Sequence, residues 1–173
     1  MPGLSATQKM TKESINIQEA DRHEVSLLSD LIRVSFRVVA ERFNLTPENC
    51  PKHPSNCTDN WIRNDLRRGV KYYTIEFNGA KIGCVALEKA TQELCYLERL
   101  AVLPKYRRNG FGKALVDHVF NQAKAMGANR IRIGVISDQV ELKLWYQKMG
   151  FVEKETKEFS QLPFPVSFMA YEL

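Results

Sequence analysis

Two short runs and one lone carboxylate have residue types and spacings that suit chemistry. The run Arg107-Arg108-Asn109-Gly110-Phe111-Gly112, with Lys113 beside it, combines glycines with basic side chains. Glycine lets the main chain approach a bulky anion, and guanidinium and ammonium groups donate charge-assisted hydrogen bonds to phosphate oxygens. Glu98 stands, with Arg99 beside it, inside the mostly apolar stretch 94–103. By strand alternation it shares a face with Tyr96, Leu100 and Val102. A partly desolvated carboxylate has a raised pKa, which suits a general base. The alternative stays open: a structural glutamate paired with a neighbour such as Arg132, or one facing solvent at an edge. Cys50-x-x-His53-x-x-x-Cys57 supplies three side chains of the kinds that hold zinc. No fourth ligand is evident and Pro47, Pro51 and Pro54 constrain this loop in another way, so a plain loop is expected, with neither metal nor disulfide.

The elements that must position these residues follow from periodicity and turn chemistry. Ile15 and Ile17 alternate in a short strand at 14–18. Asp21 with Glu24 three residues on is a capping box. Val25, Leu28, Leu31, Ile32 and Phe36 then recur at helical spacing, carrying a helix to about Phe43. Asp59 is expected to cap a short helix through Arg68 that ends at Gly69. Strands at 70–77 and 81–88 flank Asn78-Gly79, a dipeptide suited to a tight type I′ turn. The stretch 94–103 is a third strand, apolar on both faces and therefore central. A helix follows with Phe111, Leu115, Val119, Ala123 and Met126 on one face and Gly127 as its C-cap. A strand at 130–137, a helix at 138–148 and strands at 151–159 and 167–173 complete the order β-α-α-β-β-β-α-β-α-β-β. Cys84 and Cys95 fall inside strands as small core residues.

That order puts the glycine loop between a buried strand and the N-terminus of an amphipathic helix. The first backbone N–H groups there lack intrahelical partners and the helix dipole is positive, so the position suits phosphate. The competing reading is a strand-to-helix turn that needs glycine for its backbone angles. Two other phosphate loops are excluded. A dinucleotide fingerprint requires a third glycine where Leu115 stands and an acid where Arg130 stands. A Walker A loop requires Ser or Thr where Ala114 stands.

The segments 100–104 (Leu-Ala-Val-Leu-Pro) and 106–112 (Tyr-Arg-Arg-Asn-Gly-Phe-Gly) together resemble motif A of the GNAT superfamily of N-acetyltransferases. The segment 144–151, Leu-Trp-Tyr-Gln-Lys-Met-Gly-Phe, resembles that family's Leu-Tyr-x-x-x-Gly-Phe pattern. The resemblance covers about residues 14–173 and implies an α/β GNAT fold. That fold is a mixed, mostly antiparallel twisted sheet of about seven strands flanked by about four helices, with a parallel central pair. It implies acetyl-CoA as co-substrate, with its pyrophosphate on the N–H groups of 107–112. The pantetheine arm would run along Leu100-Ala101-Val102 in the gap between strands 94–103 and 130–137. Gln139 stands where the family often has Asn and is the implied, longer contact to that arm. The resemblance also makes Tyr146 the general acid near the CoA sulfur, against a reading as a packing aromatic beside Trp145. Tyr96-Leu97-Glu98 resembles the segment that carries the base in spermidine/spermine acetyltransferases.

Composition bounds the rest. The chain has 173 residues, 44% hydrophobic and 26% charged, which suits one domain at 14–173 after a loose N-terminal segment at 1–13. Without an apolar export signal at 1–14, a cytoplasmic location is expected. The net charge of +5 favours anionic partners, but its concentration around 105–113 suits a small phosphorylated ligand better than a duplex. Without a basic recognition helix, nucleic acid is not an expected partner, and neither is a membrane. The acceptor is expected to be a small-molecule amine ahead of a protein N-terminus. A non-catalytic acyl-CoA-binding module of the same fold is the alternative. Trp61 is expected either to line the acceptor pocket or to anchor its helix. The charged run 153–158 is expected to be a solvated strand, and the terminal strands are a candidate homodimer interface.

Overall fold

The computed structural model describes residues 14–173, and the flexible segment expected at 1–13 lies outside them. The capping box forms: the Asp21 carboxylate accepts from the His23 amide at 2.7 Å, and the Asp21 N–H donates to Glu24 at 3.2 Å. It opens a 3-10 turn that leads into helix α1 (Val25–Arg42). Strand β1 (Ile15–Glu19) precedes it. Helix α2 (Asp59–Arg67) and strands β2 (Lys71–Phe77), β3 (Ala80–Lys89) and β4 (Leu94–Val102) follow. Helix α3 (Phe111–Ala125), β5 (Arg130–Ile136), α4 (Val140–Lys148), β6 (Val152–Lys157) and β7 (Val166–Glu172) complete the chain. Asp59 differs from its expected role. Thr58 occupies the N-cap of α2, and the Asp59 carboxylate instead accepts from Ser26 and Ser29, tying α2 to α1.

All seven strands join one sheet in the order β1-β2-β3-β4-β5-β7-β6, antiparallel throughout except for the β4–β5 pair. β4 is therefore central, as its apolar content requires. Leu28, Ile32, Ile62 and Tyr72 form a core under α1 and α2, while Leu115, Val119, Ile131 and Phe151 form another under α3 and α4. Each such fully buried aliphatic side chain contributes about 1.5–3 kcal/mol. The charged strand β6 lies at an edge and is largely exposed, which suits its alternating Lys and Glu. No helix among the described residues is long and apolar enough to cross a membrane.

The simple alternation expected along β4 is interrupted. Glu98 pairs with Ala86 but Ala101 pairs with Cys84, so β4 carries one residue more than β3 across this step. Arg99 sits there with φ of +51°, the geometry of a bulge. The extra residue flips the faces. Tyr96 and Glu98 face α1 and α2, whereas Leu100 and Val102 turn to the core under α3. Glu98 thus does not share a face with Leu100 and Val102.

Candidate active site

β4 parts from β5 just ahead of this bulge, which itself bends the strand. Their ladder holds only from Leu94–Arg130 to Tyr96–Arg132. Past that point a cleft of roughly 970 Å³ opens between them, floored by 97–100, Val102 and 133–136. The loop after β4 lines it on the α3 side together with Trp145 and Tyr146 of α4. Phe36 and Val39 of α1, His53 and Pro54, and Phe164 and Phe168 line it on the other side.

The loop is built from its own backbone. Gly110, at the N-cap of α3, has φ of +83°, where a side chain would be strained. The first helical bond runs from Ala114 N–H to Gly110 O, so the N–H groups of Phe111, Gly112 and Lys113 have no intrahelical acceptor. A Cβ on Gly112 would come within 3.3 Å of the Trp145 ring, so glycine keeps this face of the loop open. The side chains divide their work differently from the sequence expectation. Arg107 donates to the carbonyls of Val102 (3.1 Å) and Ser35 (2.6 Å), tying loop, β4 and α1 together. Burial pushes its pKa down. Asn109 donates to the Tyr106 and Arg107 carbonyls and braces the turn, and Phe111 is buried in the α3 core. Arg108 and Lys113 remain at the cleft, Lys113 in an exposed pair with Asp117. Ala101 is buried on the opposite face of β4 and does not line the cleft. Leu100, Val102 and Gln139 line it, although the Val102 carbonyl is already taken by Arg107.

Glu98 and Tyr146 reach the same cleft from opposite faces of the sheet. Burial is the largest cause raising the Glu98 pKa; Glu88 and Asp65 add to it, while Arg99 and Arg68 oppose it. Its expected alternative partner, Arg132, is bonded to Glu155 at 2.7 Å. Glu98 makes no ion pair among the described residues. Tyr146 is 4% exposed, held edge-on between Trp145 and Phe151, and burial raises its pKa. It therefore stays protonated through the neutral range, as a proton donor must.

The bulge beneath Glu98 is pinned from α2 and β2. Arg99 donates to the Asp65 carboxylate and to the Tyr72 hydroxyl. Tyr72 in turn donates to Asp65 at 2.6 Å, as does Arg68 at 2.7 Å. The Asp65 side chain is 8% exposed. Sequence reading missed this network. Its one signal was Asp65 three residues after Ile62, a charge on the buried stripe of a helix.

The remaining candidates settle elsewhere. Trp61 packs against the α1–α2 core beneath the Arg99 guanidinium, 5.6 Å from its ring, and anchors its helix. Cys50 and Cys57 are buried free thiols, with Cys57 pushed up to about 11 by burial. His53 lies edge-on to Phe36, and its Nδ1 accepts from the Ser55 amide. Burial lowers its pKa to about 4, so it is a neutral wall of the cleft.

Fold and cleft together define an acyl-CoA-type acetyltransferase architecture, and comparison with known proteins identifies the family. The model of the acetyltransferase (GNAT) family matches residues 36–151, and the chain belongs to that family. It is 27% identical over 100 residues to an uncharacterized N-acetyltransferase of Chlorobaculum tepidum, covering 58% of this chain and 61% of that protein. To the uncharacterized N-acetyltransferase YvbK of Bacillus subtilis it is 33% identical over 86 residues, covering 50% and 55%. The chain thus spans less than two thirds of the length of these relatives. Among solved structures, the PaiA N-acetyltransferase of Thermoplasma acidophilum in complex with coenzyme A superposes with a TM-score of 0.78 at 18% identity. The match covers 92% of this chain and 99% of that one.

Proposed function

We propose that this chain transfers an acetyl group from acetyl-CoA to a primary amine by direct attack within a ternary complex. The observation that supports this most is one cleft lined by a carboxylate with raised pKa, a protonated buried tyrosine and a helix N-terminus with unpartnered amides. The N–H groups of 111–113, with Arg108 and Lys113, are the groups suited to the pyrophosphate. The free edges of β4 and β5 suit the pantetheine arm as an added strand. The coenzyme A seen with PaiA agrees with this use of the fold.

An amine with pKa near 10 arrives protonated. Glu98 takes that proton, the nitrogen attacks the thioester carbonyl and the C–S bond breaks; the Tyr146 hydroxyl protonates the departing sulfur and regains its proton from the second one that the nitrogen sheds as the amide forms. Both reactants held in one cleft supply much of the rate. The acceptor is a small amine, because Phe164, Val39, His53 and Pro54 wall the cleft opposite the loop. The test is thiol release from acetyl-CoA against a broad amine panel. Turnover of at least one amine supports the enzyme. Saturable acetyl-CoA binding with no thiol release against any amine replaces it with the non-catalytic acyl-CoA-binding module.

A further inference from the structure

Besides the phosphate loop and Arg99, which is pinned to Asp65 and Tyr72, the cleft contains two further cations. Arg132 and Lys157 line it on the face of the sheet opposite α3 and α4. On that face Arg132 of β5 neighbours Tyr96, while Gly134 pairs with Phe168, Phe168 with Glu155, and Val166 with Lys157. Residues paired across neighbouring strands share a face. The face therefore runs from Glu98 at the opening between β4 and β5 to Lys157 on β6.

The charge along it is lopsided. Arg132 Nη2 and Lys157 Nζ approach the same Glu155 oxygen, at 2.7 and 3.4 Å. One carboxylate thus answers two cations, and a unit of positive charge is left over. The Arg132 guanidinium lies 4.4 Å over the Phe168 ring, which fixes its plane, and only one of its nitrogens is used. A fixed, partly unsatisfied guanidinium is the preferred partner of a carboxylate. Among the described residues lining the cleft, Glu98 is the one acid. A second ammonium on the acceptor would find there no carboxylate but Glu155, already shared by two cations, and would meet Arg132 and Lys157. The floor between the two ends is apolar and close: a Cβ on Gly134 would lie 3.3 Å from Val166 and 3.4 Å from Phe168.

We infer that the acceptor is a monoamine carrying a carboxylate, its amine at Glu98, its body on Gly134 and Phe168, and its carboxylate at Arg132 and Lys157. This rests on the N-acetyltransferase reading above and narrows its acceptor from any amine to amino acids in the broad sense, excluding polyamines.

The experiment uses the full chain, acetyl-CoA and matched acceptors that differ only in the anionic group. The pairs are phenylalanine and phenylalaninamide, 4-(aminomethyl)benzoate and its amide, and 6-aminohexanoate and its amide, with spermidine as the polycation. The carboxylate member of at least one pair is expected to exceed its amide by about tenfold or more in kcat/KM. Arg132→Gln and Lys157→Gln are each expected to shrink that ratio towards unity through KM, with acetyl-CoA binding as the check that each variant is folded. Equal turnover within every pair, preference for the amides, or preference for spermidine overturns the proposal and leaves the transferase reading standing. A preference that survives both substitutions also overturns it. No thiol release against any amine, with acetyl-CoA still bound, overturns the transferase reading itself and this proposal with it.

Discussion

The two sides of β4 build their shares of the cleft in opposite ways. On the α3–α4 side the loop at 107–112 is made of main chain: amides without partners, a left-handed glycine, and an arginine and an asparagine that bond only to backbone carbonyls. On the α1–α2 side Glu98 depends on side chains that meet across distance. Arg99 is held by Asp65 from α2 and Tyr72 from β2. A backbone-built anion site tolerates changes in most side chains around it. A carboxylate seated on a bulge is only as well placed as the buried ions that hold the bulge. The first half suits a ligand common to a family, and the second half leaves room for an acceptor peculiar to one chain.

The sharpest way to break this contrast is Asp65→Ala. It leaves the Arg99 guanidinium and the Tyr72 hydroxyl buried without their carboxylate, and should cost about 3 kcal/mol of stability in urea unfolding. A loss below about 1 kcal/mol would mean that the bulge does not rely on the network.

Glu98→Gln comes next, with kcat/KM falling about a hundredfold. Because burial raises the Glu98 pKa, the parent enzyme should lose activity as pH falls through a value above the usual glutamate range. The variant should lack that acidic limb, and an unchanged limb would assign the base elsewhere. Tyr146→Phe acts from the other side of β4 and should lower turnover about tenfold while acetyl-CoA affinity holds. Unaltered turnover removes Tyr146 from the chemistry.

The loop itself should be more forgiving. Arg107→Ala removes two bonds to carbonyls and should cost about 1 kcal/mol of stability, with a matching weakening of acetyl-CoA binding seen by calorimetry. Lys113→Ala removes an exposed pair to Asp117 and should change stability by less than about 0.5 kcal/mol. If Lys113 weakens unfolding midpoints more than Asp65 does, the contrast between the two sides is wrong.

How much of this could be read from residues alone divides along the same line. Helix boundaries, the capping box, the Asn78-Gly79 turn, the central position of β4 and the strand-loop-helix setting of 107–112 all depend on neighbours within a few positions. Periodicity and turn chemistry therefore report them. Placing Glu98 by strict alternation failed for the portion of β4 past Arg99, because a bulge adds a residue without any local mark. The alternative that paired Glu98 with a neighbour such as Arg132 is not seen, for a related reason. Arg132 is claimed by Glu155, a residue of a strand that looked merely solvated.

By itself, then, the amino-acid order determined the elements, the family and the loop that suits a phosphate, since each rests on short-range spacing and backbone geometry. The tertiary structure alone decided which face Glu98 takes, that β4 and β5 part after three paired residues, and that Arg132 and Lys157 share one carboxylate. These depend on which distant side chains compete for the same charge, and no spacing along a chain encodes that competition.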